Sequence, residues 1–208
     1  MRKIGEVMKK AFSAFLALIS LAFLTACDAG MAAKIGDTKI SQSTVQSRIA
    51  EILSERTKFD TSQMQLSYGE ELNRGELRFL VISTIFQKLA EENGIKITKA
   101  MEDSRRAEII NQVGGSGQLA QALAGAQIAP SDFDAYVRST LISEELTNRA
   151  RAAGVAEEDL GIAIQSQVRD FTKKVGIKIN PQYGTWDQKN ADMIAFDAAG
   201  NAVKKITP

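Results

Sequence analysis

Residues 75–93, GELRFLVISTIFQKLAEEN, decide the fold. Their apolar side chains recur at helical spacing but cover much more of the helix than one narrow stripe. These side chains are Leu77, Leu80, Val81, Ile82, Ile85, Phe86 and Leu89. A helix with so wide an apolar surface must contact several neighbours, so we predict a central helix that ends before Gly94.

Weaker helical patterns surround this segment on both sides. Capping residues and apolar spacing predict further helices at about 41–56, 98–113, 118–124, 130–153 and 157–175. A hairpin is expected over 32–40 and extended pieces at 177–179 and 183–186, whereas the polar stretch 57–74 is expected to be a loop that has room for a short helical turn. The predicted fold class is therefore mainly α, with short β-strands at the N- and C-terminal ends. The polar residues 188–208 are predicted to form a flexible tail.

The first 26 residues have the pattern of a bacterial lipoprotein signal peptide. A basic beginning is followed by the uncharged, apolar stretch 11–26. Leu24, Thr25 and Ala26 then precede Cys27, as an apolar and two small residues do in a lipobox. We predict cleavage after Ala26 and lipid attachment at Cys27. The alternatives are an uncleaved signal anchor and cleavage by the ordinary signal peptidase.

The lone cysteine fits this interpretation. Cys27 has no second cysteine in the chain, so an intramolecular disulfide is excluded and lipidation explains why an exported protein keeps one thiol. Residues 27–31 would then be a lipidated tether of at most about 20 Å. The folded domain, residues 32–187, is expected close to the extracytoplasmic face of the cell membrane.

Composition excludes several kinds of site. The chain has no histidine, which excludes histidine acid–base catalysis, Ser-His-Asp and Cys-His triads and histidine-ligated metal. The net charge is +1, and residues 1–26 carry four basic residues and one acidic residue, so the remainder carries −2. A weakly acidic domain argues against nucleic acid as the main partner. We expect no metal, no cofactor and no catalysis.

One candidate binding surface lies in the polar loop. Met64, Leu66 and Tyr68 are apolar residues among polar neighbours. If they are exposed, they form a soft apolar surface for a polypeptide, because methionine adapts to many partners. The alternative is that they fold into the core.

Four sequence blocks, in the same order, resemble the SurA-type chaperone N-terminal domain, a peptide-binding helical domain of the SurA and trigger-factor kind. They are 33–45 (AKIGDTKISQSTV), 88–98 (KLAEENGIKIT), 128–138 (IAPSDFDAYVR) and 179–187 (INPQYGTWD). The last block resembles the end of SurA-like lipoproteins of actinobacteria. The resemblance implies a helical chaperone domain over 32–187 that holds unfolded or newly secreted polypeptides outside the cytoplasm.

The sequence departs from full-length relatives at one place. Such relatives carry parvulin-type prolyl isomerase domains before the last helix, but here Gly154-Val155-Ala156 leaves no room for a domain of about 90 residues. The resemblance therefore implies a lipid-anchored chaperone without catalysis. Two alternatives stay open: a residual peptidyl-prolyl isomerase, and an assembly lipoprotein with one dedicated protein partner. The sequence also leaves open whether the host cell has an outer membrane. Asp28 favours retention at the inner membrane in cells that sort lipoproteins, whereas the resemblance of the tail indicates an actinobacterium.

Overall fold

A computed structural model describes residues 30–196 of the chain. The predicted signal peptide, with Leu24, Thr25, Ala26 and the lipid attachment site Cys27, lies outside the described residues. The end of the predicted tail, 197–208, lies outside them as well.

Six α-helices make up most of the described chain, which confirms the prediction of a mainly α fold. They are α1 (Gln42–Arg56), α2 (Gly69–Glu92), α3 (Lys99–Gln112), α4 (Ser116–Ala126), α5 (Phe133–Ala152) and α6 (Leu160–Val175). Single 3-10 turns at Pro130–Asp132 and Glu157–Asp159 lead into α5 and α6. Ser41 caps α1 by accepting a hydrogen bond from the Thr44 N–H at 3.0 Å, as its position in the sequence predicted.

Short strands lie at the two ends of the described chain. β1 (Met31–Ile35) and β2 (Thr38–Ser41) form a hairpin that turns at Gly36, whose φ is +55°. β3 (Ile177–Ile179) pairs antiparallel with β1, so the sheet order is β2-β1-β3. β4 (Thr185–Asp187) and β5 (Asp192–Ile194) form a second antiparallel pair. The first strands and the last helix are thereby joined through one sheet.

The helix α2 is central, as its wide apolar surface predicted. Leu77, Val81 and Ile85 are fully buried on it, in a main core shared with α1, α6 and the strands. A second, smaller cluster joins α3, α4 and α5 around Leu123, Phe133, Val137 and Leu141. The domain thus has two hydrophobic clusters, and both contain residues of α5.

Two predictions about irregular segments are wrong in part. Residues 57–74 are not a loop throughout, because α2 already begins at Gly69. Its N-cap residue, Tyr68, makes no side-chain capping bond, so the acidic residues Glu70 and Glu71 of a polar first turn gave only a weak start signal there.

The prediction placed the start of the flexible tail too early in the sequence, at residue 188. Residues 188–194 complete the β4–β5 hairpin, in which Ala191 and Met193 are buried. The hairpin is attached by long-range contacts: Arg78 forms an ion pair with Asp192, and Gln165 donates to the Asn190 carbonyl at 2.8 Å.

None of the helices within residues 30–196 has both the length and the hydropathy needed to cross a membrane.

Candidate functional site

An apolar groove of about 470 Å³ runs between α2 and α5. The side chains of residues 30–196 leave it open to solvent. It lies at the border between the two hydrophobic clusters, since Ile82 and Phe86 pack on the main core and Ile128 and Tyr136 pack on the smaller one. The groove is therefore a consequence of how the two clusters meet.

The two walls of the groove differ in chemistry. The α2 wall presents a helical stripe that includes Phe79, Ile82 and Phe86. The α5 wall presents Tyr136 and a row of hydroxyl side chains, Ser139, Thr140 and Ser143, at helical spacing. An apolar surface beside a row of hydrogen-bonding groups suits a ligand with both apolar side chains and polar backbone.

The ends of the groove are held in place by polar contacts. At one rim the Arg78 guanidinium binds both carboxylate oxygens of Asp192, with Nη2 to Oδ2 at 3.0 Å, so the terminal hairpin is attached beside the groove. At the other rim Gln127, in a left-handed conformation with φ of +61°, accepts from the Ser67 N–H at 2.8 Å and from Arg56 at 2.9 Å. Arg56 is buried and also donates to the Ser67 carbonyl. The segment before α2 is thereby fixed to the end of α4.

A cluster of charged side chains, partly exposed at α1 and buried at Asp132, lies behind the α2 wall. The Arg48 Nε lies 3.0 Å from Oδ1 of Asp132, which is only 3% exposed. Arg48 also pairs with Glu51 at 3.0 Å, and Glu51 accepts from the Ser131 N–H at 3.2 Å. The Pro130–Asp132 turn is thus tied to α1 by one cation and two anions.

Glu76 of α2 joins this cluster and also lines the groove. It is 3% exposed. Burial first, and then the neighbouring Asp132 carboxylate, raise the pKa of Glu76 from 4.5 to about 8. Burial also raises the pKa of Asp132, but Arg48 opposes that rise. Since the pKa of Glu76 lies at about 8, we assign a proton to Glu76 at neutral pH.

The Glu76 proton lies between the two carboxyls. The Glu76 carboxyl hydrogen-bonds Asp132, whose Oδ2 has no N–H or hydroxyl donor among the described residues. Oε1 of Glu76 likewise has no N–H or hydroxyl donor within residues 30–196. A proton shared between the two carboxyls satisfies both oxygens, so the α2 wall has a neutral carboxyl paired with Asp132 behind it.

The predicted binding residues Met64, Leu66 and Tyr68 lie beside the groove and outside its lining. Tyr68 is 61% exposed and its ring faces the Arg56 guanidinium at 5.1 Å. Met64 and Leu66 are half-buried, and the Met64 side chain lies against Gly125 of α4. Ser67, which lies between Leu66 and Tyr68 in the sequence, does line the groove. A role of these three residues in binding stays a prediction.

Sequence reasoning missed the residues that make the groove. Glu76 lies on the stripe Leu72, Glu76, Phe79 and Ser83, so a carboxyl within an apolar helix face was the available signal. Asp132 was interpreted only as part of a helix start, and it makes no capping bond. No three or more His, Cys, Asp or Glu side chains within the described part of the chain are arranged to hold a metal ion.

These features define a class: a mainly α domain, closed by small strands, with an open apolar groove between two helices. The chain belongs to the SurA-like N-terminal domain family, whose model matches residues 2–147. The match includes three of the four resembling blocks and ends within α5, so 179–187 lies outside it. Comparison with curated proteins and with solved structures gave no significant match.

Proposed function

We propose that this protein is a chaperone-like binder of unfolded or newly secreted polypeptides, acting without catalysis. The observation that carries the proposal is the open apolar groove between α2 and α5, in a domain of the SurA-like family. Extended polypeptide offers apolar side chains to Phe79 and Ile82, and its backbone suits the hydroxyl row on α5. Such contacts depend little on the client sequence.

The groove can be tested by filling it. The soluble domain, residues 28–208, contains all members of both hydrophobic clusters, which lie between 32 and 193, and so carries its own core. Ser139→Trp places a large ring on the groove wall, whereas Ser104→Trp makes the same change on an exposed part of α3. We expect S139W to weaken binding of reduced, carboxymethylated α-lactalbumin at least tenfold and S104W to leave it unchanged.

Two results would count against the proposal. One is a parent domain that neither binds the unfolded protein nor suppresses aggregation at stoichiometric amounts. The other is an S139W variant that is folded, by circular dichroism, and binds as well as S104W. Crosslinking in cells then separates the general chaperone from the dedicated assembly factor. A general chaperone would capture many secreted proteins, whereas an assembly factor would capture one dominant partner. A proline-peptide assay at the background rate would remove the isomerase alternative.

We further propose that Cys27 carries the lipid that fixes the protein to the extracytoplasmic face of the cell membrane. Support comes from the lipobox and from the absence of any other cysteine in the sequence. A short tether would keep a weak, general binder at high local concentration where secreted chains emerge. Metabolic labelling with a fatty acid tests this directly: label is expected on the native chain and not on Cys27→Ser, and equal labelling of both would refute it.

A further inference from the structure

Three lysines lie in one row across the three-stranded sheet. In the register of β1 with β3, Lys34 is directly opposite Lys178. The two-residue turn at Gly36 and Asp37 places Lys39 of β2 opposite Lys34 on the other side. Directly opposed residues of antiparallel strands point to the same face of a sheet, so the three side chains form a lysine row on one face.

The lysine row faces away from the main core. Ala33 and Ile35 of β1 are fully buried in that core, and they alternate with Lys34 along the strand. On the opposite face, Lys39 and Lys178 are exposed and Lys34 is half-buried. The charged ends of long lysine side chains therefore reach solvent from this face.

The sheet offers these lysines little negative charge. The three strands and their turn contain one acidic residue, Asp37, which lies in the turn. None of the ion pairs within residues 30–196 includes Lys34 or Lys178, whereas Lys58, Lys99 and Lys174 each pair with a carboxylate. The row is thus a local positive face on a weakly acidic domain.

Sheet stability alone does not explain this arrangement. Like charges directly opposite each other on neighbouring strands are destabilising. Lysines on edge strands protect a sheet from pairing with other chains, which accounts for Lys39 and Lys178, because β2 and β3 are the edges. It does not account for Lys34, since β1 is paired on both sides. A row that crosses all three strands indicates an anionic partner.

The sheet is also the part of the domain that follows the proposed lipid site most closely in the sequence. β1 begins at Met31, four positions after Cys27. An extended chain spans at most about 3.6 Å per residue, so Lys34 can lie no farther than about 25 Å from Cys27. With lipid on Cys27, the head groups of the bilayer are the anions that this face meets at high local concentration.

Resting on the proposed lipid attachment at Cys27, we propose that the lysine row binds the anionic phospholipid head groups of the same membrane. The contact turns the sheet toward the lipid and so orients the domain on the membrane. The chain without its signal peptide carries a net charge of −2, so an anionic surface repels the protein as a whole. Attraction must therefore come from a local positive face.

Vesicles of two compositions test the lysine row in the soluble domain, which carries no lipid of its own. We expect it to sediment with phosphatidylcholine vesicles that contain about 30% phosphatidylglycerol, and not with pure phosphatidylcholine. About 0.5 M NaCl should abolish this binding, because salt screens exposed charges. Each lysine near an anionic surface contributes about fivefold, so the triple variant K34Q/K39Q/K178Q should bind roughly 100-fold more weakly.

The matched control replaces three exposed lysines on other elements, Lys58, Lys96 and Lys99, by glutamine. Both triple variants have the same net charge, so they differ only in which charges are missing. The control variant should bind anionic vesicles like the parent, and so should S139W, because the groove is not involved. An equal loss in both triple variants, or a parent domain that ignores anionic vesicles, would overturn the proposal.

These outcomes are independent of the proposals on which this one rests. The binding of unfolded protein by the parent and S139W tests the groove, and fatty acid labelling of the native chain tests Cys27. If either of those fails while the soluble domain still prefers anionic vesicles through its lysine row, the row stands as a lipid-binding face.

A second measurement keeps the proposal testable if the triple variant does not fold. The chain from Cys27 onward has one thiol, which couples to a maleimide lipid and reproduces the attachment. Acetylation of amines, followed by mass spectrometry, then reports which lysines the membrane covers. On anionic vesicles we expect Lys34 and Lys178 to react at least about threefold more slowly than on phosphatidylcholine, with Lys58 and Lys99 unaffected. Equal rates for Lys34 and Lys178 on the two surfaces would contradict the proposal.

Discussion

Glu76 links the stability of this protein to pH through one buried carboxyl. Its pKa is about 8 in the folded state and 4.5 when the group is free in solvent. Between these values the folded chain keeps a proton that the unfolded chain releases. Stability therefore falls as pH rises from about 4.5 to about 8, and the fall ends above the folded-state pKa.

Glu76→Gln should reduce this dependence. The amide keeps the neutral hydrogen bond to Asp132 and does not titrate, so the unfolding free energy of E76Q should fall less between pH 5 and pH 8. One pKa unit corresponds to about 1.4 kcal/mol, so a gain on the order of 2–4 kcal/mol relative to the parent is expected at pH 8. Urea denaturation across this range measures it.

The control is Glu91→Gln, which removes the same charge from an exposed position on α2. Its stability should follow the parent profile. Parallel profiles for E76Q and the parent would show that Glu76 is already ionised at neutral pH, and the assignment of the shared proton would be wrong.

Single residues also show what sequence patterns reveal and what they miss. The apolar positions of α2 could be predicted, because burial on a central helix depends mainly on its own periodicity. The role of Glu76 could not, because its pKa depends on Asp132 and Arg48, which lie 56 and 28 positions away in the sequence. A carboxyl on the apolar stripe of a helix still indicates, from sequence alone, a residue that deserves inspection for a shifted pKa.

Among the elements, the helices with strong periodicity were predicted well and the terminal hairpin was not. The last helix has a regular apolar stripe that packs into the main core, and Gly176 follows its end. By contrast, β5 has only three residues and follows the polar residues 188–190. Its place is decided by partners on α2 and α6, Arg78 and Gln165, which no local pattern discloses.

Gly184 is the position on which the terminal hairpin depends most directly. Its φ is +131°, and a Cβ atom there would lie 2.3 Å from the Ile194 carbonyl oxygen. Gly184→Ala must therefore displace β5 and strain the backbone. We expect a loss of about 2 kcal/mol or more in unfolding free energy, measured by urea denaturation.

Gly161→Ala is the matched control. Gly161 lies in the first turn of α6, and a Cβ atom there would meet nothing within 4 Å. The same substitution should leave stability unchanged or raise it by up to about 1 kcal/mol, because alanine favours the helix. If G184A is as stable as G161A, the hairpin is not packed as the structure shows.

For the molecule as a whole, the groove is a property of how two hydrophobic clusters meet. Ile82 and Phe86 belong to one cluster and Tyr136 to the other, so the space between them depends on the placement of α5 against α2. Sequence periodicity predicted that both helices exist and which faces they bury. The distance and angle between them are tertiary quantities, so the groove and its lining were not predicted.

The central claim is that unfolded polypeptide binds in this groove, and photo-crosslinking tests it most directly. The soluble domain lacks Cys27 and so has no thiol, which allows one cysteine at a chosen position to carry a benzophenone. Glu71→Cys places it at the exposed rim of the groove, and Ser104→Cys places it on exposed α3 outside the groove lining. With carboxymethylated α-lactalbumin, we predict strong crosslinking from position 71 and only background from position 104. Equal crosslinking from both positions, or crosslinking from position 104 alone, would contradict the account.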